Sequence, residues 1–299
     1  MKILITGGTA FVSKAVAMHF VRQGYDVTVL NRNNHPQIEG VSLIEADRHD
    51  LKDKLEGKHF DAILDITAYD DEDIIDLLNS GVSFEEYLLV SSSAVYPETN
   101  AQPFKEDDQL GPNMYWGKYG TDKIKAEKAL LDLVKGAYIL RPPYIYGPMD
   151  NVYREAFVFD CANQGRPFYL PKQGNQKLHF LYVFDLARIM ETIIINKPED
   201  RILNVGNASS ISIKDWVDLC YEATGNRAQF VEVNEDIAQR SYFCFYDYEY
   251  ELATDLMQKL EIKLTDMKEG LRASYLYYND HQNEVKKKDY IQFIDDNLR

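Results

Sequence analysis

Cysteine is scarce in this 299-residue chain: Cys161, Cys220 and Cys244 are widely spaced and form no CxxC pair. An odd, scattered set does not make a disulfide framework or a zinc cage, so these thiols read as reduced and buried. The six histidines show no HxxxH or HExxH spacing, and no metal site is expected. Apolar runs of the roughly 18 residues needed to span a bilayer are missing. The short run ahead of Gly7 is too brief for a signal peptide. Basic charge is in deficit, with 33 Lys and Arg against 48 Asp and Glu, a net charge of −15 and a pI near 4.9. Such a surface repels nucleic-acid backbones and anionic membranes. A soluble, cytoplasmic protein is expected.

What is present is ordinary globular material, 45% hydrophobic and 27% charged, with length for one large domain or two smaller ones. Short β-branched runs at 2–6, 25–30, 41–45, 61–66, 85–91 and 137–140 alternate with helical patterns at 10–23, 71–79 and 113–135. Strands alternating with helices predict a parallel sheet covered on both faces, because each crossover needs a helix to return the chain. The fold class is therefore α/β, a doubly wound parallel sheet. After Gly147-Pro148 the texture becomes richer in Pro, Gly, Gln and Asn, with a helical stretch at 153–163. Apolar runs at 179–184 and 202–205 are placed to rejoin the sheet, and 213–224 reads as a helix stopped by Gly225. The expected division is a sheet domain of 1–150 and 178–206 and a second, smaller domain of 151–177 and 207–299. Lys286-Lys287-Lys288 reads as a solvated helix end.

Gly7-Gly8-Thr9-Ala10-Phe11-Val12-Ser13 joins the first strand to the first helix, where backbone N–H groups and the helix dipole favour a phosphate. A dinucleotide fingerprint wants small residues at three points of this turn. Gly7 fills the first, and Ala10 and Ser13 stand at the second and third. A ligand-free Gly-Gly turn is the plainer alternative. The second strand ends in Asn31-Arg32, where an NAD-preferring site would carry an acid about 20 residues beyond the glycines. Arg32 could instead meet a 2′-phosphate, which leans the reading toward NADP; a ligand-free surface arginine is nearly as good an account.

Tyr119 and Lys123 lie at i and i+4 on one helix face. A lysine ammonium favours the phenolate, which suits a tyrosine exchanging protons with a substrate hydroxyl near neutral pH. About 1.5 such pairs arise by chance in a chain of this composition, so the context carries the information. The helix follows a strand that ends in Ser91-Ser92-Ser93, and strand C-termini of a parallel sheet are where ligands bind. Taken alone, the serines read better as a polar turn.

These pieces, with Ala46-Asp47, 61–69, 90–96, 119–127, 141–148, 180–187, 204–206 and 268–271, fall in one order along nearly the whole chain. Together they resemble the extended and atypical short-chain dehydrogenase/reductases, in the NAD(P)-dependent epimerase/dehydratase group. The resemblance implies a Rossmann domain, an NAD or NADP cofactor, and a smaller C-terminal domain for a sugar or nucleotide-sugar substrate. Carried over residue by residue, it makes Tyr119 the acid/base, Lys123 its tuner and ribose holder, and Ser92 the hydroxyl partner, with Ser93 as the substitute on the substrate side. It places Asp47 at the adenine, Thr67 and Ala68 at the pyrophosphate, and the loop of Pro142, Tyr144 and Ile145 at the nicotinamide. Asn151 and Arg154 fall where the substrate domain begins; an arginine there would neutralise a phosphate or form a plain surface salt bridge. A homodimer through the Tyr119 helix is compatible with the superfamily.

Several departures narrow the expectation. Ser93-Ala94 stand where dehydratases carry an Asp-Glu pair, which argues against 4,6-dehydration. Asp65-Ile66-Thr67-Ala68-Tyr69 replaces the usual His-Leu-Ala-Ala run, a feature of the atypical branch that includes stem-loop-binding proteins. The expected activity is that of an epimerase or reductase. The alternative is a non-catalytic Rossmann protein that senses cofactor or binds RNA or another partner. The aromatic segment 242–250 lacks interleaved Lys or Arg, so it reads as packing and strand structure rather than base stacking.

Overall fold

The computed structural model describes residues 1–298. It divides into two compact units: Met1–Pro143 with Val183–Gly206 and Leu252–Lys263, and Tyr144–Tyr182 with Asn207–Glu251 and the chain from Leu264 onward. The expected boundaries lay at 150/151 and 177/178; the units change over at 143/144 and 182/183, and the segment Leu252–Lys263 counts with the first.

The first unit is built on a seven-stranded sheet. Its chain order runs β1 (Lys2–Thr6), α1 (Phe11–Arg22), β2 (Asp26–Asn31), β3 (Val41–Glu45), β4 (His59–Asp65), α2 (Asp71–Leu78), β5 (Ser83–Val90), α3 (Lys118–Leu133) and β6 (Tyr138–Arg141). The strand Ile202–Asn204 completes the sheet at the edge beside β6, and the spatial order from there is β6, β5, β4, β1, β2, β3, with every pair parallel. The strand order reverses at β1, and ligands of such sheets bind outside the strand C-termini at that reversal. Ile3, Leu4 and Ile5 are fully buried, as are Ile63 and Leu64 of β4. One layer of core lies between the sheet and α2 and α3, where Ile74, Leu77, Ala126 and Leu130 pack on Leu89 and Ile139. On the other layer α1 packs against the helix Val183–Asn196. The run 202–205 thus supplies a sheet strand, as expected. The run 179–184 does not: Phe180–Tyr182 pairs with Tyr144–Tyr146 in a separate two-stranded ribbon of the second unit, and the chain turns helical at Val183. A short apolar run has no period by which to separate strand from helix.

Helix α2 starts where its sequence says it should. Asp70 accepts from the Asp73 N–H at 3.2 Å while the Asp73 carboxylate takes the Asp70 N–H, a reciprocal cap with acids in the first turn. Helix α3 begins at Lys118 rather than 113, because 113–117 folds into a turn closed by the Gly117 N–H on the Asn113 carbonyl at 2.8 Å. Gly117 then takes φ 52°, a left-handed conformation that glycine adopts freely.

In the second unit the helices Glu155–Asn163, Ile213–Thr224 and Met267–Asp280 pack on one another, over an aromatic cluster in which Phe180 stacks on Trp216 at 5.6 Å and Phe245 meets Trp216 edge-on at 5.2 Å. The segment 242–250 does bury its aromatics, including Tyr242, Phe243, Tyr248 and Tyr250, but it is not a strand. Its carbonyls are taken by side-chain amides instead: Gln176 donates to Tyr246 and Tyr248, and Gln239 to Phe245 and Tyr246. Irregular backbone can be buried when its polar groups are satisfied in this way. The basic triplet is exposed but ends no helix, lying in the loop ahead of the helix Tyr290–Asn297. The Lys286 N–H bonds to the Asn151 carbonyl at 3.0 Å, and Lys287 Nζ lies 2.8 Å from Asp160, whose carboxylate also accepts from Tyr153 and Tyr278. A buried acid with two phenol donors draws in the nearest cation. All three cysteines are buried and free, and burial pushes the Cys161 thiol up to about 12.

The second unit also buries two neighbouring carboxyls. Glu155 accepts from the Gly147 N–H at 3.3 Å and Asp150 from the Val152 N–H at 2.9 Å, while one oxygen of each has no hydrogen-bond partner. Burial, and then the charge of Asp150, raise the Glu155 carboxyl above its ordinary value. A carboxyl raised in the folded state contributes its full stability at acid pH and loses it as pH climbs through the folded value. Glu155→Gln keeps the shape and cannot ionise. It is expected to flatten the loss of stability between about pH 5 and pH 9, with a gain over the parent of at least ~1.4 kcal/mol at the alkaline end. Urea unfolding at the two pH values checks this; equal pH slopes for the two proteins would contradict it.

Candidate active site at the C-terminal edge of the sheet

The turn after β1 carries two glycines with left-handed backbone, Gly7 at φ 91° and Gly8 at φ 97°. A Cβ on Gly8 would stand 2.6 Å from Val29 Cγ1, and one on Gly7 would stand 2.8 Å from Ser13 Oγ and 3.0 Å from Thr67 Cγ2. Neither position has room for a side chain. Helix α1 then starts at Phe11 with Ala10 at its cap, and Ala10 offers no side-chain hydrogen bond and no acid occupies the first turn. The positive end of this helix is left open to an anion. Ser13, at the third small position, packs against Gly7 and donates its hydroxyl to the Ala10 carbonyl at 2.9 Å. Small residues, left-handed glycines and an uncapped helix start together fit a dinucleotide pyrophosphate.

Asn31 does something the sequence did not suggest. Its Nδ2 donates to the Gly7 carbonyl at 2.7 Å, and its Oδ1 accepts from the Asn33 N–H at 2.9 Å. It fastens the phosphate turn to the end of β2. Arg32 is exposed and lies 3.8 Å from the Asp47 carboxylate, which also accepts from the His49 N–H.

Under the turn lies a buried polar network that sequence reasoning missed. Asp65, at the end of β4, is fully buried. It accepts from Thr6 Oγ1 at 2.7 Å, from Arg48 and from the Tyr87 hydroxyl. Burial alone would raise its carboxyl; the Arg48 charge overrides this and holds it below the ordinary value. The same Thr6 hydroxyl accepts the Ile66 and Thr67 N–H groups at 2.9 and 3.1 Å, and Arg48 reaches Thr67 Oγ1 at 3.4 Å. The loop 66–68, expected on the pyrophosphate side, is thereby fixed beside Gly7. An acid inside the apolar run 62–66 was the available signal, since a buried charge must find a partner.

Helix α3 brings Tyr119 and Lys123 to the same edge. Gly120 explains how closely: a Cβ there would lie 2.3 Å from the Ala94 carbonyl, so only glycine lets the first turn of α3 rest on the 92–94 turn. Tyr119 remains 41% exposed while Lys123 is 2% exposed. Lys123 Nζ donates to the Ala68 carbonyl at 2.6 Å and to the Val90 carbonyl at 2.9 Å, at the ends of β4 and β5. Burial brings its amine down to about 8, against the pull of the Asp65 charge. Ser92 Oγ accepts from the Ala94 N–H at 3.1 Å, which fixes the oxygen and leaves its proton to be donated elsewhere. Ser93 is buried, and its N–H bonds to the Pro142 carbonyl at 2.9 Å. The turn residues, Thr67, Ala68, Ser92, Ser93, Tyr119, Lys123 and Pro142 thus belong to one sheet edge in the first unit.

The remaining expected site residues belong to the second unit. Tyr144 is buried against Phe245 and Tyr250. The Arg154 guanidinium lies 5.0 Å from the Tyr144 ring centroid and donates to the Ile145 carbonyl at 3.2 Å, and the Asn151 carbonyl receives Lys286. Among the described residues one group has metal-ligand spacing, His59, Asp61 and Glu85. It sits at the N-terminal ends of β4 and β5, and its members already meet Ser83, the Lys2 N–H and Lys197. No helix of the described residues is long and apolar enough to cross a membrane.

Comparison with known proteins agrees with this geometry. The chain is 27% identical to the chloroplast stem-loop binding protein of 41 kDa b of Arabidopsis thaliana, over 92% of this chain and 78% of that one. It is 26% identical to a putative UDP-glucose 4-epimerase of Methanocaldococcus jannaschii, over 90% and 96%. Among solved structures, a UDP-glucose 4-epimerase superposes with a TM-score of 0.77 at 18% identity, covering 96% of this chain and 100% of that one. MoeE5 in complex with UDP-glucuronic acid and NAD gives 0.72 at 21% identity, covering 94% and 99%. These structures establish the Rossmann-type fold. The model of the NAD dependent epimerase/dehydratase family matches residues 73–206, from α2 through the Tyr119 helix to the last strand of the sheet.

Proposed function

We propose that the chain binds NAD along the C-terminal edge of its parallel sheet and acts as an epimerase or reductase on a sugar or nucleotide sugar. The observation that carries this reading is the contact of Gly120 with the Ala94 carbonyl, which sets the Tyr119–Lys123 face of α3 beside the Ser92 turn. The pyrophosphate would lie on the turn of Gly7 to Val12, with Thr67 and Ala68 beside it. Asp47 would meet the adenosine, and Lys123 the nicotinamide ribose. When bound, NAD supplies the hydride acceptor and donor. The chain's own residues handle protons: Tyr119 Oη takes the proton of the substrate hydroxyl and returns it, Ser92 donates to the same oxygen, and the buried cation of Lys123 favours the phenolate. Ser93 and Ala94 provide neither acid nor base, so the reading excludes 4,6-dehydration.

The Arabidopsis relative, a stem-loop binding protein, suggests nucleic-acid binding instead. A net charge of −15 opposes it, because phosphate-backbone affinity depends on neutralising cations. The test of the preferred reading is titration of the protein with NADH, followed by nicotinamide fluorescence. Saturable binding at micromolar concentrations is expected; no saturable change with NADH would end the proposal.

A further inference from the structure

One aromatic residue at this edge has no part in the chemistry described above. Tyr69 is 55% exposed, yet Lys123 Nζ lies 5.2 Å from the centre of its ring and Lys123 itself is 2% exposed. The dry ammonium thus has a ring that reaches solvent as its neighbour. The backbone of Tyr69 is also fastened. Its own N–H donates to Asp73 Oδ2 at 2.6 Å, Asp73 closes the cap of α2, and the preceding residue, Ala68, provides a carbonyl to Lys123. Two of the three ammonium protons are taken by the Ala68 and Val90 carbonyls.

We propose that Tyr69 is a positioning residue for Lys123, a ring wall that keeps water from the ammonium and leaves one N–H for a ribose hydroxyl. This rests on the reading of Lys123 as the cofactor's partner. The charges facing the amine come from every element around it: Asp65 from β4, Asp73 from α2 and Glu127 from α3 favour the cation, and Arg48 opposes it. None of these belongs to Tyr69, so its removal alters the amine's exposure to water and little else. A ring face also attracts the cation, but burial is the leading influence on this lysine, so loss of the wall outweighs loss of that attraction.

The experiment uses the full chain without cofactor, labelled with ¹⁵N at lysine Nζ, and follows the Lys123 resonance, assigned by Lys123→Arg, as a function of pH. The parent and Tyr69→Phe are expected to share a midpoint near 8, the value burial imposes. Tyr69→Ala is expected to move up by about one unit or more toward that of a free lysine. An unmoved midpoint in the folded Tyr69→Ala protein, or a move in Tyr69→Phe, would overturn the proposal. NADH titration of the same samples separates the two ideas. Loss of NADH binding by the parent sinks the functional reading, whereas the lysine midpoints judge Tyr69 by themselves.

Discussion

Tyr119→Phe is expected to bind NADH as the parent does and to lose at least ~10²-fold in turnover of whichever sugar or nucleotide sugar the parent converts. The substitution removes one oxygen and no packing. The ring sits on the first turn of α3, 41% exposed, and Gly120 makes the close contact that seats this turn. In the proposed reading cofactor affinity depends on the glycine turn and Lys123, both untouched. What disappears is the one group able to exchange a proton with the reacting hydroxyl, since Ser92 can donate but is not a base near neutral pH. The loss should fall on kcat, with NADH affinity as the internal control. Unchanged turnover would remove Tyr119 from the mechanism while leaving the cofactor site standing.

Glu127→Ala should have the largest effect on stability, about 3–5 kcal/mol, the usual cost of leaving a buried charge without its partner. Arg141 and Glu127 are 3% and 2% exposed at their side chains. The guanidinium grips the carboxylate through Nε at 3.0 Å and Nη2 at 2.7 Å, and Nη1 bonds to the Tyr96 hydroxyl at 2.8 Å and the Glu106 carbonyl at 2.9 Å. Ser91 donates to the same glutamate, and the Tyr96 hydroxyl donates to Asn204 Oδ1 at 2.8 Å. One acid on α3 thereby ties the ends of β5, β6 and the strand Ile202–Asn204 to the helix that carries Tyr119. Removing it strands the arginine in a dry site. The double replacement Glu127→Leu with Arg141→Met should regain much of the loss, because both charges then leave together. Urea unfolding followed by circular dichroism measures both; a cost under ~1 kcal/mol for the single variant would mean that water reaches Arg141.

Features written in local periodicity were legible in the sequence. The six β-branched runs before residue 141 all form strands of the sheet, and the glycine turn falls where a strand gives way to a helix. Tyr119 and Lys123 share a face because four residues make about one helical turn. What stayed hidden depends on partners distant along the chain. Arg48 and Asp65 are joined only by the meeting of β3 and β4 ends around β1 and β2, and Glu127 with Arg141 only by packing of α3 on β6. Their charges gave no pattern within a window. The segment 242–250 looked like a strand because buried aromatics usually belong to one, and nothing local announced that Gln176, some seventy residues earlier, would satisfy its carbonyls. Tyr69 was read only as one letter of a divergent loop.

The clasp between Asn31 and Gly7 bears on any attempt to re-engineer coenzyme choice. Position 31 is where an acid would normally be installed to favour a free ribose over a phosphorylated one. Here that side chain must donate to a carbonyl, and a carboxylate can only accept. Asn31→Asp would therefore set two oxygens against each other and loosen the very loop meant to cradle the diphosphate. Selectivity in this chain is better altered one residue further on, at Arg32, an exposed side chain 3.8 Å from the Asp47 carboxylate.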